Sequence, residues 1–263
     1  MRHVPGRRVA VTVGLTALLA ALVLAGGEAA AVTVTVGNLM IKVDGSTSPT
    51  ALPRTSFAPI SFHGSAAIST ADGTHIPPAE STELLVDKHI AIDTAGLPTC
   101  SPGQLQASAP AAAMKACGDA LIGRGTSTAQ VQFPEQASFT AKGPLLAFNG
   151  PAEPGYGGYH EQLYYVYANV PLPTALIAVA KVAKASGRYG YKISVSIPKI
   201  AGGAGSFSGA EFTIDRKWTY QGKEHSFLTA ECASGHFDAQ VEVDFGDGSD
   251  VIGDVIQACR SKD

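Results

Sequence analysis

Tyr191-Lys192-Ile193-Ser194-Val195-Ser196-Ile197 alternates apolar and polar side chains without a break. Ala239-Gln240-Val241-Glu242-Val243-Asp244-Phe245 repeats the pattern, and between them Phe212, Ile214, Trp218 and Tyr220 share one parity. Successive side chains of a strand point to opposite faces, so each stretch buries one face and wets the other. Asp247-Gly248 then separates the strand ending at Phe245 from the run Val251 to Ile256, a short hairpin signature.

Outward from this region the same texture continues. Leu84, Val86, Ile90 and Ile92 make a strand with Asp87, His89 and Asp93 on its wet face. Gln162 to Ala168 is another strand, and Thr174 to Ala185 is apolar on both parities. Val32 to Val36 and Leu39 to Val43 flank a turn or bulge at Gly37-Asn38. Gly45 to Pro59 is rich in Ser, Thr and Pro and reads as an extended edge or loop. About a dozen strands in all predict an all-β fold, an antiparallel β-sandwich-like architecture built as one sandwich or as two β units. Asn149-Gly150-Pro151 and the Gly/Tyr loop after it predict a boundary between an N-terminal unit, 32–150, and a C-terminal unit, 151–263. The one expected helix is short, near residues 109–118, with Ser108 as its cap, Pro110 in its first turn and the alanines 111–113 behind.

Residues 1–31 have the form of a secretory signal peptide. Arg2, Arg7 and Arg8 precede the apolar run Val9 to Ala25, and Ala29-Ala30-Ala31 offers small residues for cleavage. No later segment is long and apolar enough to span a bilayer, so the expected mature protein is extracellular and not membrane-bound. The chain has 19 basic and 22 acidic residues; without Arg2, Arg7, Arg8 and Glu28 it keeps 16 and 21, a formal net charge of −5. A mildly acidic chain without a basic run offers no footprint for nucleic acid. The partners expected are a glycan or another extracellular protein.

All four cysteines follow the leader. In an oxidising compartment they predict two disulfides, Cys100–Cys117 and Cys232–Cys259, each close in sequence and inside one apparent unit. No C-x-x-C pair suggests zinc.

Leu52-Pro53-Arg54, Asp72-Gly73, Gly96-Leu97-Pro98 before Cys100, Ala116-Cys117-Gly118 and Gly123-Arg124-Gly125 form a series of landmarks. Phe133-Pro134-Glu135-Gln136 and Leu146-Ala147-Phe148-Asn149-Gly150 continue it. Together they resemble an uncharacterised family of secreted β-rich proteins from high-GC bacteria, over nearly the whole mature chain. The resemblance implies an address and an architecture, and no activity or functional residue.

Complete catalytic motifs are missing. Gly205-Ser206-Phe207-Ser208-Gly209 has Phe207 where a nucleophile elbow needs serine, and reads as a flexible Gly/Ser hairpin loop. His160-Glu161-Gln162-Leu163-Tyr164 begins like a zincin helix but ends in tyrosine, within a strand-like context. Asp244, Asp247, Asp250 and Asp254 crowd the last hairpin; the first three are a weak calcium candidate, without EF-hand spacing. Tyr156, Tyr159, Tyr164 and Trp218 are the candidate ligand platform, because aromatic faces with polar edges suit sugars and peptides. No cofactor is expected. The leading expectation is a secreted, non-enzymatic protein with a binding or structural role at the cell exterior. The alternative is an extracellular hydrolase acting on polysaccharide or peptide.

Overall fold

The computed structural model describes residues 31–106, 109–152, 160–169 and 172–262. The expected leader lies outside these apart from Ala31, as does Ser108, the expected helix cap. Val32–Val36 (β1) and Leu39–Ser48 (β2) form the first hairpin, turning at Gly37 with φ +57°. After the short Ala51–Pro53 (β3), Ala58–Thr70 (β4) runs back along β2. Ala79–Asp87 (β5) and Ile90–Ile92 (β6) precede two helices, Pro102–Leu105 (α1) and Pro110–Cys117 (α2). Then come Leu121–Val131 (β7), Phe139–Ala152 (β8), His160–Ala168 (β9), Thr174–Lys184 (β10) and Tyr189–Ser196 (β11), an antiparallel meander. Gly205–Ile214 (β12) is followed by a hairpin of Lys217–Tyr220 (β13) and Lys223–Ser226 (β14), and by Leu228–Ala230 (β15). His236–Phe245 (β16) and Asp250–Ala258 (β17) make the last hairpin, and Arg260–Lys262 (β18) pairs with β3 in parallel.

Twelve strands follow one antiparallel path, β1-β2-β4-β12-β7-β8-β9-β10-β11-β5-β16-β17. Its two ends lie together: a Cβ placed on Gly253 of β17 would come 3.0 Å from Val34 Cγ2 of β1. No ladder joins β1 to β17, so the closure is a side-chain seam. The fold is a nearly closed barrel, which corrects the expected β-sandwich of one or two units. A sandwich needs two sheets, each with its own edges. Here strands from both halves interleave, with β12 between β4 and β7, and β5 between β11 and β16. The expected boundary at 150/151 falls inside β8, which continues through Asn149-Gly150-Pro151 with a register shift before Ala152. Gly205-Ser206-Phe207-Ser208-Gly209, read from sequence as a loop, is the first half of β12 and carries a bulge between Phe207 and Gly209.

The strand alternation sorts residues inward and outward. Tyr191, Ile193 and Val195 of β11 point in and meet Ala180 and Val182 of β10 and Leu84 and Val86 of β5. Outward positions carry Lys42, Glu83, Arg124, Lys142, Lys192 and Glu211; Glu83 and Lys192 form an ion pair. Among the described residues no helix is long and apolar enough to cross a membrane.

Three further packed regions fix the shape. One end of the barrel is filled by Leu52, Ile60, Ile122, Phe227, Phe237 and the Cys232–Cys259 bridge, with β6 and β15 closing it beside β4. Inside the wall at the other end, Ile41, Ile68, Val243, Phe245 and Val251 pack together. On the outer surface, α1 and α2 cover Phe148, Leu163 and Tyr165, each 0% exposed, and Cys100–Cys117 pins them there. Those outer positions explain why β8–β10 are apolar on both parities: one face lines the barrel and the other lies under the helices. Both expected disulfides are formed, with Cα–Cα distances of 5.5 Å and 5.9 Å.

Candidate functional site

An eight-strand barrel is just wide enough to be filled by side chains or to hold one small ligand, and interior width grows with strand number. Twelve strands therefore leave space that the three internal clusters do not use up. A cavity of about 320 Å³ remains between β7–β11 and β12. The cause is local. At inward positions β7, β8, β9 and β10 carry Ala129, Ala141, Gly143, Ala168 and Ala178, and β12 adds Ala210. Such small residues cannot reach the barrel axis.

Larger apolar groups finish the lining: Leu145, Val166, Leu176, Ile197, Phe207 and Phe212. Leu176, Val166, Ile197, Phe207 and Phe212 are only half-buried although they face the interior, so a water-sized molecule reaches them. Among the described residues no Asp, Glu, Lys, Arg or His lines the cavity; its polar groups are Thr82, Ser127, Thr128, Tyr164 and Thr174. Tyr164 donates its hydroxyl hydrogen to Gln162 Oε1 at 2.8 Å, and burial pushes its pKa up to about 12. It stays neutral at any physiological pH. The arrangement can exclude water from an apolar molecule and offer it a few hydroxyls.

The residues singled out from sequence are distributed as follows. Tyr156 and Tyr159 lie outside the described residues. Tyr164 and Trp218 both pack against the closed-end core, Tyr164 from inside the barrel and Trp218 from the β13–β14 hairpin. Trp218 stacks on His225 with ring centres 5.4 Å apart and donates its indole N–H to Ala95 O at 3.0 Å. His225 Nδ1 in turn sits 2.7 Å from Asp93 Oδ2. Among the described residues no three His, Cys, Asp or Glu side chains are grouped to hold a metal. Asp244 accepts a hydrogen bond from Ser81 Oγ, and Asp247 accepts from Ser249 N and Oγ. Those bonds hold the Asp247 carboxyl below the usual range, first through the Ser249 hydroxyl. His160 and Glu161 stand on a strand, where consecutive residues diverge. The burial of His160, with a smaller contribution from Lys184, lowers its pKa.

One juxtaposition was not legible in the sequence. Ser206 Oγ lies 3.3 Å from His75 Nε2, across 131 positions of chain. Ser206 is 2% exposed, and His75 Nδ1 is buried without a hydrogen-bond partner. A serine nucleophile needs an open approach and a base oriented by a third group, and this pair has neither. The cavity was also missed, because its signal is a scatter of Ala and Gly on the inward parity of several strands that sequence reading does not know to be neighbours. Comparison with protein-family models, with curated proteins and with solved structures gives no match.

Proposed function

We propose that this chain is an exported, non-enzymatic binding protein of the cell exterior, and that its barrel holds a neutral, apolar small molecule. The observation that carries the reading is the cavity of about 320 Å³, reached by water yet lined without a charged group. It is about twice the size of a 150 Å³ apolar cavity that accepts one benzene. That volume suits two fused rings or a chain of similar bulk. A glycan fits this lining poorly, since its hydroxyls would find few partners and lose their water. Any charged end of the ligand would be left outside, toward solvent. The basic start and apolar run of residues 1–31, with two disulfides in the rest of the chain, support the exported address.

The test is titration with a neutral fluorophore, N-phenyl-1-naphthylamine, against the oxidised protein. Saturable one-to-one binding is expected. Ala129→Phe and Ala178→Phe each place a ring in the cavity and should weaken binding by about tenfold or more, with Trp218 emission unchanged. No saturable binding, or equal binding by both variants, removes the proposal.

A further inference from the structure

We infer that a second site, independent of the apolar cavity, binds a phosphate or sulfate group on the outer wall of the barrel. A cleft of about 340 Å³ lies where β7 begins and β12 ends, lined by Leu121, Ile122, Gly123 and four charged residues: Arg124, Asp215, Arg216 and Lys217. It shares no lining residue with the cavity. The register explains the grouping. Arg124 is opposite Thr213 in the β7–β12 ladder, and the chain leaving β12 at Ile214 passes Asp215, Arg216 and Lys217 across the start of β7.

Three cations around one cleft are unexpected in a chain whose mature part has an acidic excess. Among the described residues none of the three forms a salt bridge, and Asp215, the one acid in the cleft, is not paired with any of them. Arg216 is also only partly satisfied. Its Nη2 donates to Asp119 O at 3.1 Å, which fixes the guanidinium, while its Nε is buried with no acceptor. A buried N–H without a partner is costly, and an anion oxygen would relieve it. A fixed guanidinium with a free donor, a second guanidinium and an ammonium together match a tetrahedral oxyanion, which offers several acceptors and two charges. Asp215 weakens the site for an anion without cancelling an excess of two positive charges.

The group recognised is the oxyanion itself, whether free, esterified to a small molecule or displayed on a lipid headgroup. Amide shifts of Gly123, Arg124 and Lys217 in ¹⁵N spectra would be followed through titrations with inorganic phosphate, inorganic sulfate, glycerol 3-phosphate and phosphatidylglycerol vesicles. Sodium chloride at matched ionic strength and phosphatidylcholine vesicles are the controls. The expected result is a saturable shift confined to these residues with at least one oxyanion, about tenfold or more weaker in Arg124→Gln and in Arg216→Gln, as loss of a charge-assisted hydrogen bond implies. Which arm saturates at the lowest concentration identifies the source. Arg124 is exposed, so its variant leaves the fold intact and remains informative where Arg216→Gln perturbs packing. Shifts reproduced by chloride, or titrations unchanged by Arg124→Gln, overturn the site. Neither outcome bears on the fluorophore binding expected of the cavity.

Discussion

Removing the Cys232–Cys259 bridge should loosen the closed end of the barrel more than anything else about the molecule. The bridge spans 27 residues, and the chain-entropy relation assigns such a loop about 3.5 kcal/mol at 25 °C. The other bridge spans 17 residues and comes to about 3 kcal/mol. The two differ less in magnitude than in place. Cys232 is 0% exposed within the closed-end core, its N–H donates to Pro53 O at 2.8 Å and its carbonyl accepts from Ser261 Oγ at 2.7 Å. Cys100 and Cys117 pack with α1 and α2 outside the wall. Trp218, the only tryptophan, packs on the closed-end core and reports on it. Guanidinium unfolding of Cys232→Ala/Cys259→Ala, without reductant, should show a loss of about 3.5 kcal/mol and red-shifted Trp218 emission before the main transition. Cys100→Ala/Cys117→Ala should lose about 3 kcal/mol with native Trp218 emission retained. A cost below about 1 kcal/mol for the first variant, or the larger Trp218 shift in the second, would refute the assignment of the bridge to the barrel's closure.

Further outcomes can be checked with standard measurements. Phe148→Ala empties the 0%-exposed position under the helices and should cost about 3–5 kcal/mol in urea unfolding; a loss under 1 kcal/mol would show that α1 and α2 do not seal this face. Gly125→Ala should prevent native folding, because its Cβ would lie 1.9 Å from Glu211 O on the neighbouring strand; a native-like spectrum contradicts the β7–β12 register. Asp72 accepts from the Thr74 hydroxyl, the Asn38 amide and the Thr74 N–H, which lower its pKa from 3.8 to about 2. Its folded value lies below the unfolded one, so the stabilisation is full above pH 4 or so and fades as pH falls through about 2. NMR titration of its side-chain carboxyl should have its midpoint near 2; an ordinary carboxylate midpoint would mean that the contact between the β1–β2 and β4–β5 turns is not held in solution. His160 has the same sign, since burial lowers its folded pKa: its contribution is full above about 6.5 and declines on acidification. His160→Phe should flatten stability against pH in that range, and an unchanged slope would remove His160 as its source.

The existence of β9, and both the existence and the side-chain parity of β11 and β16, were readable because alternation is a local property. So were the two bridges, where short separations agreed with an even cysteine count. Closure was not readable. Val34 and Gly253 meet across the seam, yet nothing near either residue announces the other. The first half of β12 was masked by its composition: Gly205, Ser206, Ser208 and Gly209 have weak strand propensity, and tertiary pairing with β4 and β7 outweighs it. The break at Asn149-Gly150-Pro151 failed for a related reason. Asn149 is 1% exposed and its side-chain amide donates to Pro98 O at 3.0 Å, while its carbonyl accepts from Cys100 N at 2.8 Å. Turn-forming residues there are held in a strand by partners about 50 positions away. The cavity was hidden because emptiness is a property of facing walls, and small residues count as a signal only once their neighbours are known.

The place of β12 between β4 and β7 also sets the order in which the molecule can be assembled. A chain made from its N-terminus has finished β4 and the whole β7–β11 meander before residue 205 emerges. Until then the facing edges of β4 and β7 have no partner, and the inward apolar face stays open to other chains. Long-range strand insertion of this kind slows folding and prolongs that exposure. Pulse-labelled hydrogen exchange should find the amides of β4 and β7 that face β12 gaining protection in one phase, together with those of β12. In the interval before it, the half-built barrel is the form that a chaperone would meet.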